Sequence, residues 1–189
     1  MQSSHQNRLI QFFNVLSHLI GFPILYIVSR NYDTLQSKIF LLTCFMILSC
    51  SIAYHSLKHL YAKSRILDRV AILLAVPTFL CLFTTMCNSI AVTLFSVYTI
   101  FFFGFHAYCA ANEKEKNETI TNVSILMHSW TFVFFLKETS AYKYYVAGGI
   151  FYSIGLIAYF LDDKWPALHI LWHLLVICGM CCHALAFVK

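Results

Sequence analysis

Charge is the scarcest property of this 189-residue chain: only 11% of its residues are Asp, Glu, Lys or Arg, whereas an ordinary soluble domain carries about 25%. Apolar residues make up 60% and the mean hydropathy is +0.71, so water cannot be the main solvent. Internal repeats, low-complexity tracts and Gly/Pro-rich linkers are missing as well, which leaves no room for a separate soluble domain. The formal charge of +5 is dispersed between apolar segments, without the basic face that nucleic-acid binding requires, and this excludes nucleic acid as a partner. A disulfide framework is also excluded. Most of the eight cysteines sit inside apolar runs, where they act as small hydrophobes, and Cys178-x-x-Cys181 lacks the βαβ context of a redox motif.

What the chain does have is a succession of apolar runs. Crossing the hydrocarbon takes about 20 apolar residues per helix. Runs bounded by polar or charged residues predict spans over 9–29, 39–60, 66–86, 89–110, 121–136, 142–161 and 166–188. The expected fold is all-α, a polytopic membrane protein whose single domain, 1–189, is a seven-transmembrane helix bundle. The first span lacks an A-x-A cleavage site and is followed by six others, so it reads as a retained helix and not a secretory signal.

Lys and Arg set orientation. Arg8, Lys58, Lys63, Arg65, Arg69, Lys114, Lys116 and Lys164 fall on the N-terminal side, and Arg30, Lys38, Lys137, Lys143 and Lys189 on the other. This predicts a cytoplasmic N-terminus and an external C-terminus. The sequons at Asn117 and Asn122 then face the cytoplasm or lie within a span, out of reach of glycosylation. Tyr142, Tyr144, Tyr145, Trp165 and Trp172 fall near predicted span ends, where aromatic side chains anchor helices at the interface.

Ionisable groups inside a span are costly and mark function. His55 is expected about 8 Å inside the N-terminal-side end of span 2. Asp68 lies at the start of span 3, and His169 and His173 one and two turns into span 7, so all four share one depth. His169 and His173, at i and i+4, stack on one helix face and can reach a single ion, with His55 as a third ligand. Three protein ligands with an open position suit a catalytic zinc. Asp68 would be general base or partner to the ligands, and Ser51, one turn deeper than His55, a hydrogen-bond donor. H-x-x-x-H alone is a weak signal, and His55 with His59 forms a second copy in which His59 reads as solvated. His18, His106, His128 and His183 read as structural; pairing of His18 with His106 or His128 around haem is a further alternative.

Several blocks resemble the hemolysin III proteins and their relatives, the progestin and adipoQ receptors. Asn14-Val15-Leu16-Ser17-His18-Leu19-Ile20-Gly21 is similar to their N-x-x-[ST]-H-x-x-G opening. Ser51-Ile52-Ala53-Tyr54-His55 and Leu67-Asp68 are similar to their S-x-x-Y-H and L-D signatures. Phe151-Tyr152-Ser153-Ile154-Gly155 and His169-Ile170-Leu171-Trp172-His173 resemble the closing Y-x-x-G and H-x-x-W-H. Val76-Pro77-Thr78-Phe79 departs from the Gly/Thr/Tyr/Pro-rich stretch usual after L-D, and spans 4 and 5 carry no matching block. The resemblance implies a seven-helix fold shared with alkaline ceramidases, with zinc on His55, His169 and His173 and with Asp68 and Ser51 beside it. The expected function is a zinc-dependent, ceramidase- or lipase-like hydrolase acting on a lipid amide or ester. The alternative is a receptor-like, fusogenic or pore-forming protein with a structural zinc. Oligomeric state and substrate identity stay open at this level.

Overall fold

A computed structural model describes residues 4–30, 33–57, 61–85, 87, 90–112, 118–137 and 139–187, with residues 4–8, 61 and 62 described by backbone alone. Among the described residues the chain is entirely helical: α1 (Ser4–Ser29), α2 (Leu35–Ser56), α3 (Tyr61–Thr84), α4 (Ile90–Ala111), α5 (Glu118–Thr131), α6 (Val133–Leu136), α7 (Tyr142–Phe160) and α8 (Ala167–Leu185). A single turn at Phe132, whose N–H donates to the Ser129 carbonyl, separates α5 from α6. Together they form one span-length unit, Glu118–Leu136.

Six units are long and apolar enough to cross a membrane. The seventh predicted span, α7, has 19 residues but falls short of that apolarity, because Tyr142, Lys143, Tyr144, Tyr145, Tyr152 and Tyr159 dilute its aliphatic content. It runs antiparallel to α8 along its whole length: Gly148 abuts His183, Tyr152 abuts Gly179 and Gly155 abuts Trp172. Their faces differ in size, small residues of one helix receiving rings of the other, which lets the two backbones approach closely.

Three predicted boundaries need correction. The second span was expected over 39–60, but α2 begins at Leu35 because Thr34 caps it, its hydroxyl oxygen accepting from the Ser37 N–H at 3.2 Å. It ends at Ser56, so His55 occupies the last turn instead of lying several residues inside. The third helix starts at Tyr61, five residues before the expected Ile66. The expected end points Leu60, Met86, Ser89 and Val188, together with Lys58, His59, Lys114, Lys116, Asn117 and Lys189, lie outside the described residues.

The helices form a ring in the order α4, α3, α2, α1, α8, α7, α5. α4 and α5 close it through large side chains: His128 of α5 lies between the rings of Phe95 and Phe102, both 4.9 Å away and nearly parallel to it, and bonds Thr99 at 2.8 Å. Outward, α4 shows Ile90, Leu94, Val97, Phe101, Phe105 and Tyr108, a helical stripe of exposed apolar groups. Only an apolar solvent suits such a face, whereas Asn14, Ser17, His18, Ser51, His55, His173 and His183 are buried. The polarity is that of a protein dissolved in lipid.

Of the five aromatics expected at span ends, Trp165 and Tyr142 are exposed and Tyr144 is half-buried against the core, whereas the remaining two turn inward. Tyr145 is buried and donates its hydroxyl to the Ser129 carbonyl at 2.7 Å, tying α7 to α5. Trp172 packs over Gly155 and lines an internal cavity.

Candidate metal centre

The opening block of α1 explains itself once placed. Asn14, Ser17, His18 and Gly21 follow an i, i+3, i+4, i+7 spacing, and all four are buried on the face turned to α2 and α8. A Cβ on Gly21 would stand 3.0 Å from Ile177 and 3.1 Å from Leu48, so the glycine allows α1 to settle into the groove between its neighbours. His18, one turn earlier, is thereby brought against His173, with ring centroids 4.0 Å apart.

His55 arrives from the end of α2 and the pair His169 and His173 from the first two turns of α8. Ring centroids of His55 stand 5.3 Å from His169 and 5.1 Å from His173, and the α8 pair are 4.6 Å apart. Four imidazoles therefore meet at one end of the bundle. Nitrogens of His18, His55 and His173 all lie within 4.8 Å of one another, near enough for three buried histidines to hold one metal ion. Sequence reasoning assigned His18 a structural role. The missed signal was depth: His18 lies nine residues into its predicted span and His173 seven into its own, a difference of about 3 Å.

Hydrogen bonds prepare the rings differently. His169 Nδ1 meets Asp162 Oδ2 at 2.6 Å, and His55 Nδ1 meets Gln11 Oε1 at 2.8 Å. The Asp162 carboxylate only accepts, so His169 Nδ1 carries the proton and Nε2 keeps its lone pair. At His55 Nδ1 the Gln11 oxygen accepts at 2.8 Å while the Asn14 amide nitrogen stands farther off at 3.5 Å, and the shorter bond sets the same tautomer. Among the described residues, His173 Nε2 and both ring nitrogens of His18 are buried with no hydrogen-bond partner. Leaving buried nitrogens unpaired costs about 1–3 kcal/mol each. A donor set of imidazole nitrogens with free lone pairs could hold a transition-metal ion, zinc among them.

Asp68 and Ser51 lie beside this cluster and bond to each other, the Ser51 hydroxyl donating to Asp68 Oδ1. The hydroxyl's only proton is thus committed to the carboxylate, which makes Ser51 a partner of Asp68 and not a free donor to a ligand. Around the same rim, Arg65 pairs with Glu118 at 2.7 Å, Tyr159 donates to Glu118 Oε1 at 2.8 Å, and Arg69 donates to Asn122. These contacts fasten α3, α5 and α7 together at the histidine end, and they place Asn122 in helical packing.

Two recesses meet at the cluster. One of about 310 Å³ is polar, bordered by Gln11, Asn14, His55, Asp162, Asp163 and His169. The other, about 490 Å³, runs inward from His18, Ser51, Asp68 and His173 between walls that are mostly apolar. His18 packs against His173, and His128 is held by Thr99 and the phenylalanine rings, a structural placement.

Fold and site define an integral, multi-pass helical membrane protein with an inward-facing histidine cluster that could hold a metal. Family comparison then places it: the family described as Haemolysin-III related matches residues 7–184, and the chain belongs to that family. Comparison with curated proteins gives no match.

Proposed function

We propose that the protein is a zinc-dependent hydrolase of a lipid amide or ester, crossing the membrane seven times with its N-terminus in the cytoplasm. The supporting observation is the position of the histidine cluster, between a polar recess suited to water and an elongated apolar cavity suited to an acyl chain. Pairing of α7 with α8 along its length supports the seventh crossing, and the Lys and Arg distribution supports the orientation.

His55, His169 and His173 would hold the zinc, the first two through the Nε2 that their Nδ1 bonds leave free. Zinc bound there supplies Lewis acidity toward a carbonyl oxygen and acidifies water to a pKa of about 7. Asp68 is the general base, taking a proton from water at the oxygen that Ser51 does not engage and returning it to the departing amine or alcohol as the C–N or C–O bond breaks. Ser51 is a positioning residue that fixes the Asp68 carboxylate. The apolar wall formed by residues such as Leu48, Ile72 and Val176 excludes bulk water and orients the acyl chain. Purified protein should release fatty acid from ceramide or phospholipid only when zinc is present; turnover by a His173→Ala variant would reject the assignment.

A second reading is favoured by one observation: the three imidazoles whose nitrogens lie within 4.8 Å of one another come from three helices, α1, α2 and α8. Zinc would then staple the bundle of a receptor-like, fusogenic or pore-forming protein. Asp68→Asn separates the two. Catalysis predicts lost turnover with zinc and fold retained, whereas stapling predicts little functional effect beyond stability.

A further inference from the structure

Ten residues beyond His173 on α8, at about 15 Å along the helix, the large cavity ends against a second polar pair that the proposed chemistry does not use. It consists of Tyr152 on α7 and His183 on α8. Two glycines make the room: a Cβ at Gly148 would lie 2.3 Å from His183 Cδ2, and one at Gly179 would lie 2.6 Å from Tyr152 Cε1. Each helix thus gives up a side chain so that the other can seat a polar ring between them. Such a reciprocal exchange would serve a purely apolar core no better than alanine against leucine.

His183 Nε2 faces the Tyr145 carbonyl at 3.3 Å, and a carbonyl only accepts, so Nε2 carries the proton. In the neutral ring Nδ1 is then an acceptor, and among the described residues it is buried without a partner. The Tyr152 hydroxyl, a donor, is likewise buried without a partner. Ring centroids of the two stand 5.3 Å apart at 74°, and both side chains line the cavity. One unmatched donor and one unmatched acceptor thus belong to two neighbouring residues that line the cavity, and an apolar methylene would leave both unsatisfied. A carbonyl group could answer only Tyr152, and an ammonium only His183. A hydroxyl answers both, accepting from Tyr152 and donating to His183 Nδ1.

We infer that Tyr152 and His183 form a subsite for a hydroxyl group carried partway along the hydrocarbon chain of the bound lipid. This rests on the reading of the cavity as an acyl-chain site and names the class of chain it selects. Tyr152 falls opposite Gly179, about 9 Å beyond His173, and His183 about 15 Å beyond it, so the favoured hydroxyl is mid-chain and not next to the carboxyl.

The test uses the full-length protein in nanodiscs, with competition binding of stearic acid and of its analogues hydroxylated next to the carboxyl, at mid-chain and near the methyl end. The mid-chain analogue should bind about tenfold tighter than stearic acid, corresponding to about 1.4 kcal/mol. Tyr152→Phe, which removes one oxygen and keeps the ring over Gly179, should reduce that ratio to about one; His183→Phe should do the same. Thermal unfolding of both variants monitors the fold. If stearic acid binds and the mid-chain hydroxyl confers no advantage, the subsite is overturned and the pair holds at most an ordered water, while the acyl-chain cavity stands. If none of the acids binds, the acyl-chain reading fails and takes the subsite with it. A preference that survives in both variants overturns the assignment to these two residues.

Discussion

Replacing Asp162 by asparagine probes the metal set without touching any histidine. Asp162 Oδ2 lies 2.6 Å from His169 Nδ1, and both side chains are only 21% exposed, so the interaction is partly shielded from water. The carboxylate fixes the tautomer that offers Nε2 and raises the basicity of the ring. Losing such a partner typically weakens metal binding by about 10–100-fold, or about 1.4–2.7 kcal/mol. Asparagine keeps an oxygen that can accept from Nδ1–H, so the expected loss is at the lower end, about tenfold. Zinc affinity measured on purified protein by competition with a chromophoric chelator reads this directly. His18→Ala in parallel should leave zinc in place, because His55, His169 and His173 remain. Unchanged affinity in Asp162→Asn, together with loss of zinc from His18→Ala, would refute His169 as a ligand and install His18 as the third.

Other consequences follow from particular contacts. Ser51→Ala should lower turnover while leaving zinc content intact, since the hydroxyl is committed to Asp68; metal analysis beside a fatty-acid release assay checks both halves. Gly148→Ala should destabilise the bundle by about 1–3 kcal/mol, because its methyl would meet His183 and the Gly179 carbonyl oxygen in a packed groove. Gly104→Ala is the matched opposite: nothing lies within 4 Å of the new Cβ, so it should be neutral or stabilise by about 0.5–1 kcal/mol through helix propensity. Chemical unfolding of the two in one detergent compares the signs. Thr34→Ala, which removes the α2 cap, should cost about 0.5–2 kcal/mol in the same measurement.

Composition and hydropathy alone dictated an all-helical membrane protein, because a chain this apolar must satisfy its backbone within each segment and has too little charge for a water-facing surface. They also located the spans to within a few residues, and the motif spacings put His55, Asp68, His169 and His173 at one level. Boundaries were less legible where a local cap intervened, as Thr34 moved the start of α2, and the tyrosines of α7 kept that helix out of the six apolar enough to cross a membrane. What no linear pattern could supply was which buried faces meet. His18 enters the cluster only because Gly21 lets α1 sink between α2 and α8, and Ser51 turns to Asp68 only because α2 and α3 pack side by side. Tyr152 and His183 face one cavity only because two glycines, far apart in sequence, exchange places across the α7–α8 seam. Spacing along a helix fixes the depth and face of a side chain, whereas rotation and approach between helices are set by the sizes of the residues at each crossing, and those are decided only in three dimensions.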